Sequence, residues 1–232
     1  MTPDKAGRHL KRASAMKGLY FVTDRGLCGS KPLTDVVLQA LRGGAVCVQL
    51  REKSAATRAF VEEARRIKEL MAPFRVPLII NDRLDVALAV GADGVHVGQD
   101  DMPFEIARRL MGPGAIIGLS VETWEDVERA EELDADYLGV SPVFATPTKT
   151  DTKEPWGIEG IARIKAFSRH PLVAIGGMNA SNAETVVMAG ADGVAVVSAI
   201  CAAPDPLAAS RELTDIIAAA LQKRSGTRRG GQ

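Results

Sequence analysis

Apolar segments of two kinds alternate along the chain from residue 18 to residue 221. Short runs rich in β-branched residues, such as 45–50 and 194–197, are typical of strands buried on both faces of a parallel sheet. Longer segments such as 33–42 place apolar residues three or four positions apart, which is the spacing of an amphipathic helix. The pattern predicts strands at 18–23, 45–50, 78–80, 95–97, 115–119, 136–140, 172–175 and 194–197. It predicts helices at 33–42, 54–71, 83–90, 103–111, from 123 onward, at 157–167, from Asn179 or Ser181 to 189, and at 206–221.

The predicted strands and helices alternate without a break in composition, eight of each. The motif Gly-Ala-Asp-Gly occurs at 91–94 and again at 190–193, where a left-handed glycine would end a helix before the next strand. Such alternation predicts an α/β fold, a single (β/α)8 TIM barrel formed by residues 18–222. An open, doubly wound sheet is the alternative. We expect residues 1–17 and 223–232, which are basic and lack the pattern, to be flexible tails.

The balance of charge and the cysteine content narrow the classes of function. The 232 residues include 29 basic and 29 acidic side chains, whereas nucleic-acid-binding domains usually have a strong basic excess. No apolar run approaches the ~20 residues that a membrane-spanning helix needs, and no secretory signal follows the basic N-terminus. The three cysteines form no CxxC pair, which favours reduced thiols. We therefore expect a cytoplasmic protein with no nucleic-acid or membrane partner. The sequence leaves a homodimer open.

Acidic residues follow the third and fourth predicted strands. Asp82 comes directly after one strand, and Asp100 and Asp101 come shortly after the next. Parallel strands joined by a helix end at the same edge of a sheet, so these carboxylates should lie close together. Mg²⁺ commonly binds one or two carboxylates together with water and substrate phosphate oxygens. The spacing predicts a Mg²⁺ site at Asp82 and Asp101, although a helix cap or a surface turn would explain the same residues.

Basic and hydroxyl side chains follow the second and sixth strands. Arg51 and Lys53 offer a guanidinium fork and a point charge after the second strand. Thr146, Thr148 and Lys149 lie in the long loop after the sixth strand. With Mg²⁺, these cations would be sufficient to bind a diphosphate and to stabilise it as a leaving group. Solvated loop charges are the competing interpretation.

Small residues follow the last two strands, at Gly176-Gly177 and Val197-Ser198. TIM barrels frequently bind a phosphate with the main-chain N–H groups at this position. Two ordinary glycine turns would give the same sequence. His96 lies within a strand, so we interpret it as a core or hydrogen-bonded histidine rather than a ligand.

Motifs after seven of the eight predicted strands resemble those of the thiamine-phosphate synthase family. They are QLREK (49–53), IINDR (79–83), HVGQDD (96–101), the serine of GLS (118–120), FATPTK (144–149), AIGGM (174–178) and VVS (196–198). The resemblance covers residues 18 to about 221 and implies an enzyme with two small-molecule substrates. It would join a hydroxymethylpyrimidine diphosphate to a thiazole phosphate, giving thiamine phosphate and diphosphate through a pyrimidine carbocation.

The resemblance also implies roles for individual residues. Contacts with the pyrimidine diphosphate would come from Gln49, Arg51, Lys53, Asn81, Ser120 and Lys149. Of these, Arg51, Lys53, Ser120 and Lys149 would take part in catalysis. Asp82 and Asp101 would bind Mg²⁺. The thiazole phosphate would contact Thr146, Thr148, Gly177, Val197 and Ser198.

One departure from the family pattern and two rival functions remain. The family commonly has Gly-Pro before the threonine-rich loop, where this chain has Ser141-Pro142. A thiazole tautomerase on the same barrel is the nearest rival, but it would not need the diphosphate-binding residues. A non-catalytic phosphate-ligand sensor is the second. The sequence does not decide whether the thiazole is carboxylated.

Overall fold

The computed structural model describes residues 16–146 and 153–229. Eight parallel strands pair in sequence order and close into a barrel through the pairing of β1 with β8, as predicted. The strands are β1 (Gly18–Val22), β2 (Cys47–Leu50), β3 (Leu78–Asn81), β4 (Gly94–Val97), β5 (Ile116–Val121), β6 (Tyr137–Val140), β7 (Leu172–Ala174) and β8 (Gly193–Val196). Closure rules out the alternative of an open, doubly wound sheet.

Helices follow the strands and form the outer layer. They are α1 (Leu33–Arg42), α2 (Thr57–Met71), α3 (Leu84–Val90), α4 (Phe104–Met111), α5 (Trp124–Ala130), α6 (Gly157–Phe167), α7 (Ala180–Ala189), α8 (Ser198–Cys201) and α9 (Pro206–Arg229). Asn179, rather than Ser181, caps α7, because its side chain accepts a hydrogen bond from the Ser181 N–H. Across the described ranges, no helix combines the length and the apolar character needed to cross a membrane.

Two helical details differ from the expectation. The short helix α8, directly after β8, was not predicted, since four residues are too few for a periodic pattern. Helix α9 continues to Arg229, so the predicted tail at 223–232 begins inside a helix. Arg224 holds this extension by donating hydrogen bonds of 2.7 Å to the main-chain oxygens of Val187 and Ala191. At the N-terminal end of the chain, Met16 is already fully buried. The flexibility of the two tails stays a prediction.

The core has two layers of different composition. Aliphatic side chains such as Val48, Ile80 and Val95 pack outward against the helices. The interior of the barrel contains a smaller cluster that includes Tyr20 and Tyr137. Its phenol groups are polar, and the interior leads to the site described below.

Aspartates that precede three of the eight strands form hydrogen bonds at the N-terminal end of the barrel. Asp93, Asp136 and Asp192 stand directly or almost directly before β4, β6 and β8, and each accepts a hydrogen bond of 2.8–3.1 Å from a main-chain N–H near the start of the preceding strand. Arg108 pairs with Asp136 at 2.6 Å, and Lys165 pairs with Asp192 at 2.7 Å. This is the function of the aspartate in the repeated Gly-Ala-Asp-Gly motif.

The first glycine of the motif has a different main-chain conformation in each of the two copies. Gly91 has the expected left-handed conformation, with φ 60° and ψ 45°. Gly190 also has a positive φ, 134°, but its ψ of −7° places it outside the left-handed helical region. The expectation of a left-handed glycine therefore holds for the first copy and is wrong for the second. A Cβ atom at Gly190 would lie 2.6 Å from Cγ of Lys165, which gives a second reason for glycine there.

Candidate active site

The carboxyl ends of the strands surround a cavity of about 770 Å³. Eleven of the predicted site residues line it: Gln49, Arg51, Lys53, Asn81, Asp82, Asp101, Ser120, Thr146, Gly177, Val197 and Ser198. Thr148 and Lys149 lie outside the described residues. Because these side chains come from seven different strand ends, closure of the barrel is what brings them together.

One side of the cavity, which we call the charged half, consists of Arg51, Lys53, Asn81, Asp82 and Asp101. The main-chain N–H of Arg51 donates to Thr23 Oγ1 at 3.0 Å. Its guanidinium Nη1 lies 3.2 Å from Asp24 Oδ2. The guanidinium is therefore oriented before any ligand arrives, and its remaining N–H donors are available for a phosphate.

The two predicted metal ligands share this half with Lys53. The Lys53 ammonium lies 2.6 Å from Asp82 Oδ2, and Asp101 Oδ2 accepts a 2.7 Å hydrogen bond from the Gly98 N–H. Burial raises the pKa of Asp101 above its ordinary value, and the adjacent Asp82 carboxyl raises this pKa further, against the lowering effect of the Gly98 N–H. The structure thus brings the two carboxyl groups close enough to interact, as the sequence predicted.

Asp82 has an unusual main chain. Its φ of 60° is left-handed, a conformation that aspartate and asparagine tolerate better than most residues. Its N–H donates to the main-chain oxygen of His96, in the neighbouring strand β4, at 2.8 Å. Within the described ranges, no cluster of three or more histidine, cysteine, aspartate or glutamate side chains could hold a metal. A cation at Asp82 and Asp101 would therefore need oxygen ligands from water and substrate.

The opposite side, which we call the glycine half, consists of Gly176, Gly177, Val197 and Ser198. The two glycines follow β7 with φ angles of 99° and 67°. A Cβ atom at Gly176 would lie 2.8 Å from Cα of Pro142, and one at Gly177 would lie 2.8 Å from Cβ of Phe144. Neither position therefore accommodates a side chain, and the main chain itself faces the cavity.

Ser141, which replaces the glycine common in the family, lies in a main chain held by regular hydrogen bonds. The Ser141–Pro142 peptide is cis, and the Ser141 N–H donates to the Val121 oxygen at 3.2 Å. Ser141 is not among the described residues with a positive φ, so its position does not call for glycine. The Trp156 N–H donates to the Pro142 oxygen at 2.9 Å, which joins the two ends of the loop.

Sequence reasoning missed two buried residues that line the cavity, Tyr20 and Tyr137, and the exposed Lys153 in the loop after β6. It also missed a rim group that includes Gln99 and Arg129. Both tyrosines lie within predicted strands, at 18–23 and 136–140, where nothing in the pattern separates them from apolar neighbours. The available signal was the alternation within a strand, because every second residue of a barrel strand points inward. His96 is hydrogen-bonded within the barrel, as interpreted from the sequence.

Comparison with known proteins gives a consistent result. A family model described as thiamine monophosphate synthase matches residues 19–200. A thiamine-phosphate synthase from Albidiferax ferrireducens is 56% identical over 209 residues, which are 90% of this chain and 95% of the relative. One from Leptospira biflexa is 53% identical over 195 residues, which are 82% of this chain and 93% of the relative.

Solved structures agree. The thiamine phosphate pyrophosphorylase from Pyrococcus furiosus has a TM-score of 0.83 and 42% identity, with 90% of this chain and 98% of that chain covered. A geranylgeranylglyceryl phosphate synthase from Thermoplasma acidophilum has a TM-score of 0.67 at 15% identity, covering 94% of this chain and 99% of that one. The second likeness concerns the fold alone.

Proposed function

Because the chain belongs to the thiamine monophosphate synthase family, we propose that the cavity described above carries out the family's reaction with the residues predicted from the sequence. The protein is a transferase, a thiamine-phosphate synthase. It condenses 4-amino-2-methyl-5-(diphosphooxymethyl)pyrimidine with a thiazole phosphate to give thiamine phosphate and diphosphate. No comparison favours the thiazole tautomerase, and the charged half is a feature that a tautomerase would not need.

In the proposal, the charged half binds the diphosphate of the pyrimidine substrate. Arg51 and Lys53 contact its oxygens, together with Lys149 from the loop outside the described residues. The bond between the pyrimidine methylene carbon and the diphosphate oxygen breaks, and the electron pair leaves with the diphosphate. Fixed positive charge stabilises the leaving group more as its charge develops, and this difference accelerates the reaction.

Asp82 and Asp101 fit a Mg²⁺ ion by the chemistry of their donor set. Two neighbouring carboxylates beside a diphosphate provide the hard oxygen ligands that Mg²⁺ prefers. The ion would neutralise charge on the leaving diphosphate. The protein's contribution is to hold both carboxylates on one side of the cavity, with Lys53 paired to Asp82 when no substrate is present.

The glycine half is proposed to bind the thiazole phosphate. Gly177, Val197 and Ser198 present main chain to the cavity, with Thr146 nearby and Thr148 outside the described residues. An anion held there would place the thiazole between the two halves. Its ring nitrogen would then supply the lone pair that forms the new bond to the pyrimidine methylene carbon. Because the diphosphate leaves before the thiazole nitrogen attacks, the reaction requires no nucleophilic side chain.

A cytoplasmic location and a homodimer are further parts of the proposal. Free thiols support a reducing compartment, since Cys28, Cys47 and Cys201 are all unpaired and buried. Sedimentation of the purified protein would decide the oligomeric state.

The interaction between the Asp82 and Asp101 carboxyl groups carries the proposal, and one assay tests it. Purified protein is incubated with both phosphorylated heterocycles, with Mg²⁺ and after chelation. We expect thiamine phosphate and diphosphate in equal amounts, with formation that depends on Mg²⁺. Isomerisation of a thiazole phosphate without diphosphate release would identify a tautomerase instead.

A further inference from the structure

Five side chains from five strands form one continuous row of hydrogen bonds at the bottom of the cavity. In order, they are Gln49, Tyr20, Tyr137, His96 and Ser120. The successive distances are 2.9, 2.7, 2.9 and 2.8 Å. All five line the cavity, and we call this row the polar chain.

One consistent direction of hydrogen bonding starts from the first member of the polar chain and extends through all five side chains. Gln49 Nε2 can only donate, so the Tyr20 hydroxyl accepts from it. Either hydroxyl could donate in the bond between Tyr20 and Tyr137, and with Tyr20 as the donor its single proton is directed to the oxygen of Tyr137. Burial raises the pKa of both phenols well above the ordinary value, so each keeps its one proton.

With Tyr20 as the donor, the tautomer of the histidine follows. A Tyr137 hydroxyl that accepts from Tyr20 has its own proton available for Nδ1 of His96. A neutral imidazole that accepts at Nδ1 carries its proton at Nε2, and this N–H donates to Ser120 Oγ. The hydroxyl proton of Ser120 is then free to turn toward the cavity.

Two glycines make room for this arrangement. A Cβ atom at Gly118 would lie 2.1 Å from Cζ of Tyr137 and 2.5 Å from Nδ1 of His96. One at Gly139 would lie 2.8 Å from Cε1 of His96. Tyr137 and His96 pack against each other with ring centroids 5.5 Å apart. The rings therefore occupy space that neighbouring strands leave open.

We propose that the polar chain is a positioning device that makes Ser120 a hydrogen-bond donor, and Gln49 an acceptor, toward the pyrimidine substrate. This inference rests on the proposed function, which places the pyrimidine diphosphate on this side of the cavity. Phosphate oxygens and ring nitrogens accept hydrogen bonds, which suits the Ser120 hydroxyl. The amino group of the pyrimidine donates, which suits Gln49 Oε1, the acceptor atom of an amide whose Nε2 donates to Tyr20. Tyr20, Tyr137 and His96 act through these two ends.

The proposed direction of the polar chain also excludes one chemical role. Ser120 and His96 lie 2.8 Å apart, the distance of a serine nucleophile from its general base. A base would have to accept the serine proton at Nε2, and in the polar chain that nitrogen already carries a proton. Ser120 therefore orients the substrate and forms no covalent bond with it.

Nitrogen NMR of the histidine rings in the substrate-free protein tests the direction of the polar chain. We expect His96 to have a protonated Nε2 and an unprotonated Nδ1. Tyr137→Phe removes the donor to Nδ1 and should give a mixture of the two tautomers. Tyr20→Phe, which breaks the chain one bond earlier, serves if Tyr137→Phe does not fold. A native His96 with its proton at Nδ1 would overturn the proposal.

Steady-state kinetics test the consequence for substrate. In Tyr137→Phe, we expect kcat/KM for the pyrimidine diphosphate to fall about tenfold to a hundredfold, the effect of a misdirected buried hydrogen bond. KM for the thiazole phosphate should stay within about twofold. Ser120→Thr, which keeps the hydroxyl, should retain more activity than Ser120→Ala.

The control is Ile116→Val, a change inside the barrel that removes no polar group; it should alter neither the tautomer nor the kinetics. A changed tautomer with unchanged kinetics in Tyr137→Phe would contradict a positioning role. The two proposals fail separately, because the tautomer is measured without substrate, whereas a native protein that makes no thiamine phosphate would contradict the proposed function alone.

Discussion

The charged half and the glycine half of the cavity handle anions by different means. In the charged half, side chains such as Arg51 and Asp82 carry full charges, and neighbours such as Asp24 and Lys53 hold them in place. In the glycine half, Gly176 and Gly177 offer main chain and no room for a Cβ atom. Substitution in the charged half should therefore change electrostatics with little effect on folding. Substitution in the glycine half should change binding and stability together.

The largest effect is expected from loss of charge at Asp82 or Asp101. Asp82→Asn keeps a residue that tolerates the φ of 60°, whereas alanine would add main-chain strain. Turnover should fall about 100- to 1,000-fold, the range seen when one group that stabilises developing charge is removed. The dependence on Mg²⁺ should weaken, and the melting temperature should change little.

The neighbouring Asp100 supplies the control for that experiment. Asp100→Asn removes the same charge from the same cavity wall, at a residue that is not a predicted ligand. Equal losses at Asp82, Asp100 and Asp101 would mean that net charge matters and that no specific metal site exists.

The next largest effect is expected at Gly177. In Gly177→Ala, the added Cβ would contact Phe144, and the φ of 67° would strain the main chain. KM for the thiazole phosphate should rise about tenfold, and the free energy of unfolding should fall by roughly 1–3 kcal/mol. Steady-state kinetics and denaturant unfolding measure the two effects.

Gly157 is a matched control for the glycine half. Its φ is 61°, nearly the same, but a Cβ there would meet nothing within 4 Å. Gly157→Ala should lower stability through main-chain strain and leave the thiazole phosphate KM unchanged. An equal rise of KM in both variants would show that the glycine half has no special role.

A smaller effect is expected when the Lys53 ammonium is removed. It lies 2.6 Å from Asp82 and competes with a metal for that carboxylate. Lys53→Met should therefore tighten Mg²⁺ binding to the substrate-free protein by about twofold to fivefold, the scale of a partly exposed ion pair. Binding of diphosphate should weaken. Titration calorimetry with each ligand measures both, and weaker Mg²⁺ binding would contradict the competition.

The smallest effect concerns Cys201, at the end of α8 behind the glycine half. Burial raises the pKa of its thiol from 9.0 to about 12. Above pH 9, the unfolded state therefore loses this proton while the folded state keeps it, and stability falls as pH rises toward 12. The contribution at pH 10 is about 1 kcal/mol. Unfolding of Cys201→Ala should show a flatter decline between pH 9 and pH 11 than the native protein.

The fold followed from periodicity to a large extent. All eight strands and the helices between them were predicted, because buried parallel strands and amphipathic helices leave clear patterns. The end of α9 was not, since Lys223 and Arg224 belong to a basic segment that resembles a tail. The contacts of Arg224 with Val187 and Ala191 help to explain why the helix continues.

The charged residues of the site could be predicted from the sequence. Features that depend on three-dimensional geometry could not. Asp82 and Asp101 stand out because carboxylates after buried strands are unusual, but the left-handed φ of Asp82 has no sequence signal. Tyr20 and Tyr137 were missed because phenols fit apolar strands equally well. Their hydrogen bond joins residues 117 positions apart, and only closure of the barrel brings them together.

The aspartates that fasten the strands at the N-terminal end have a consequence for how this barrel tolerates change. Asp93, Asp136 and Asp192 tie neighbouring strands into pairs at the floor, far from the chemistry. These hydrogen bonds join the strands at the end opposite the catalytic loops and do not involve those loops. Evolution or engineering could therefore change those loops to accept a different pair of substrates while the strands remain joined at the opposite end of the barrel.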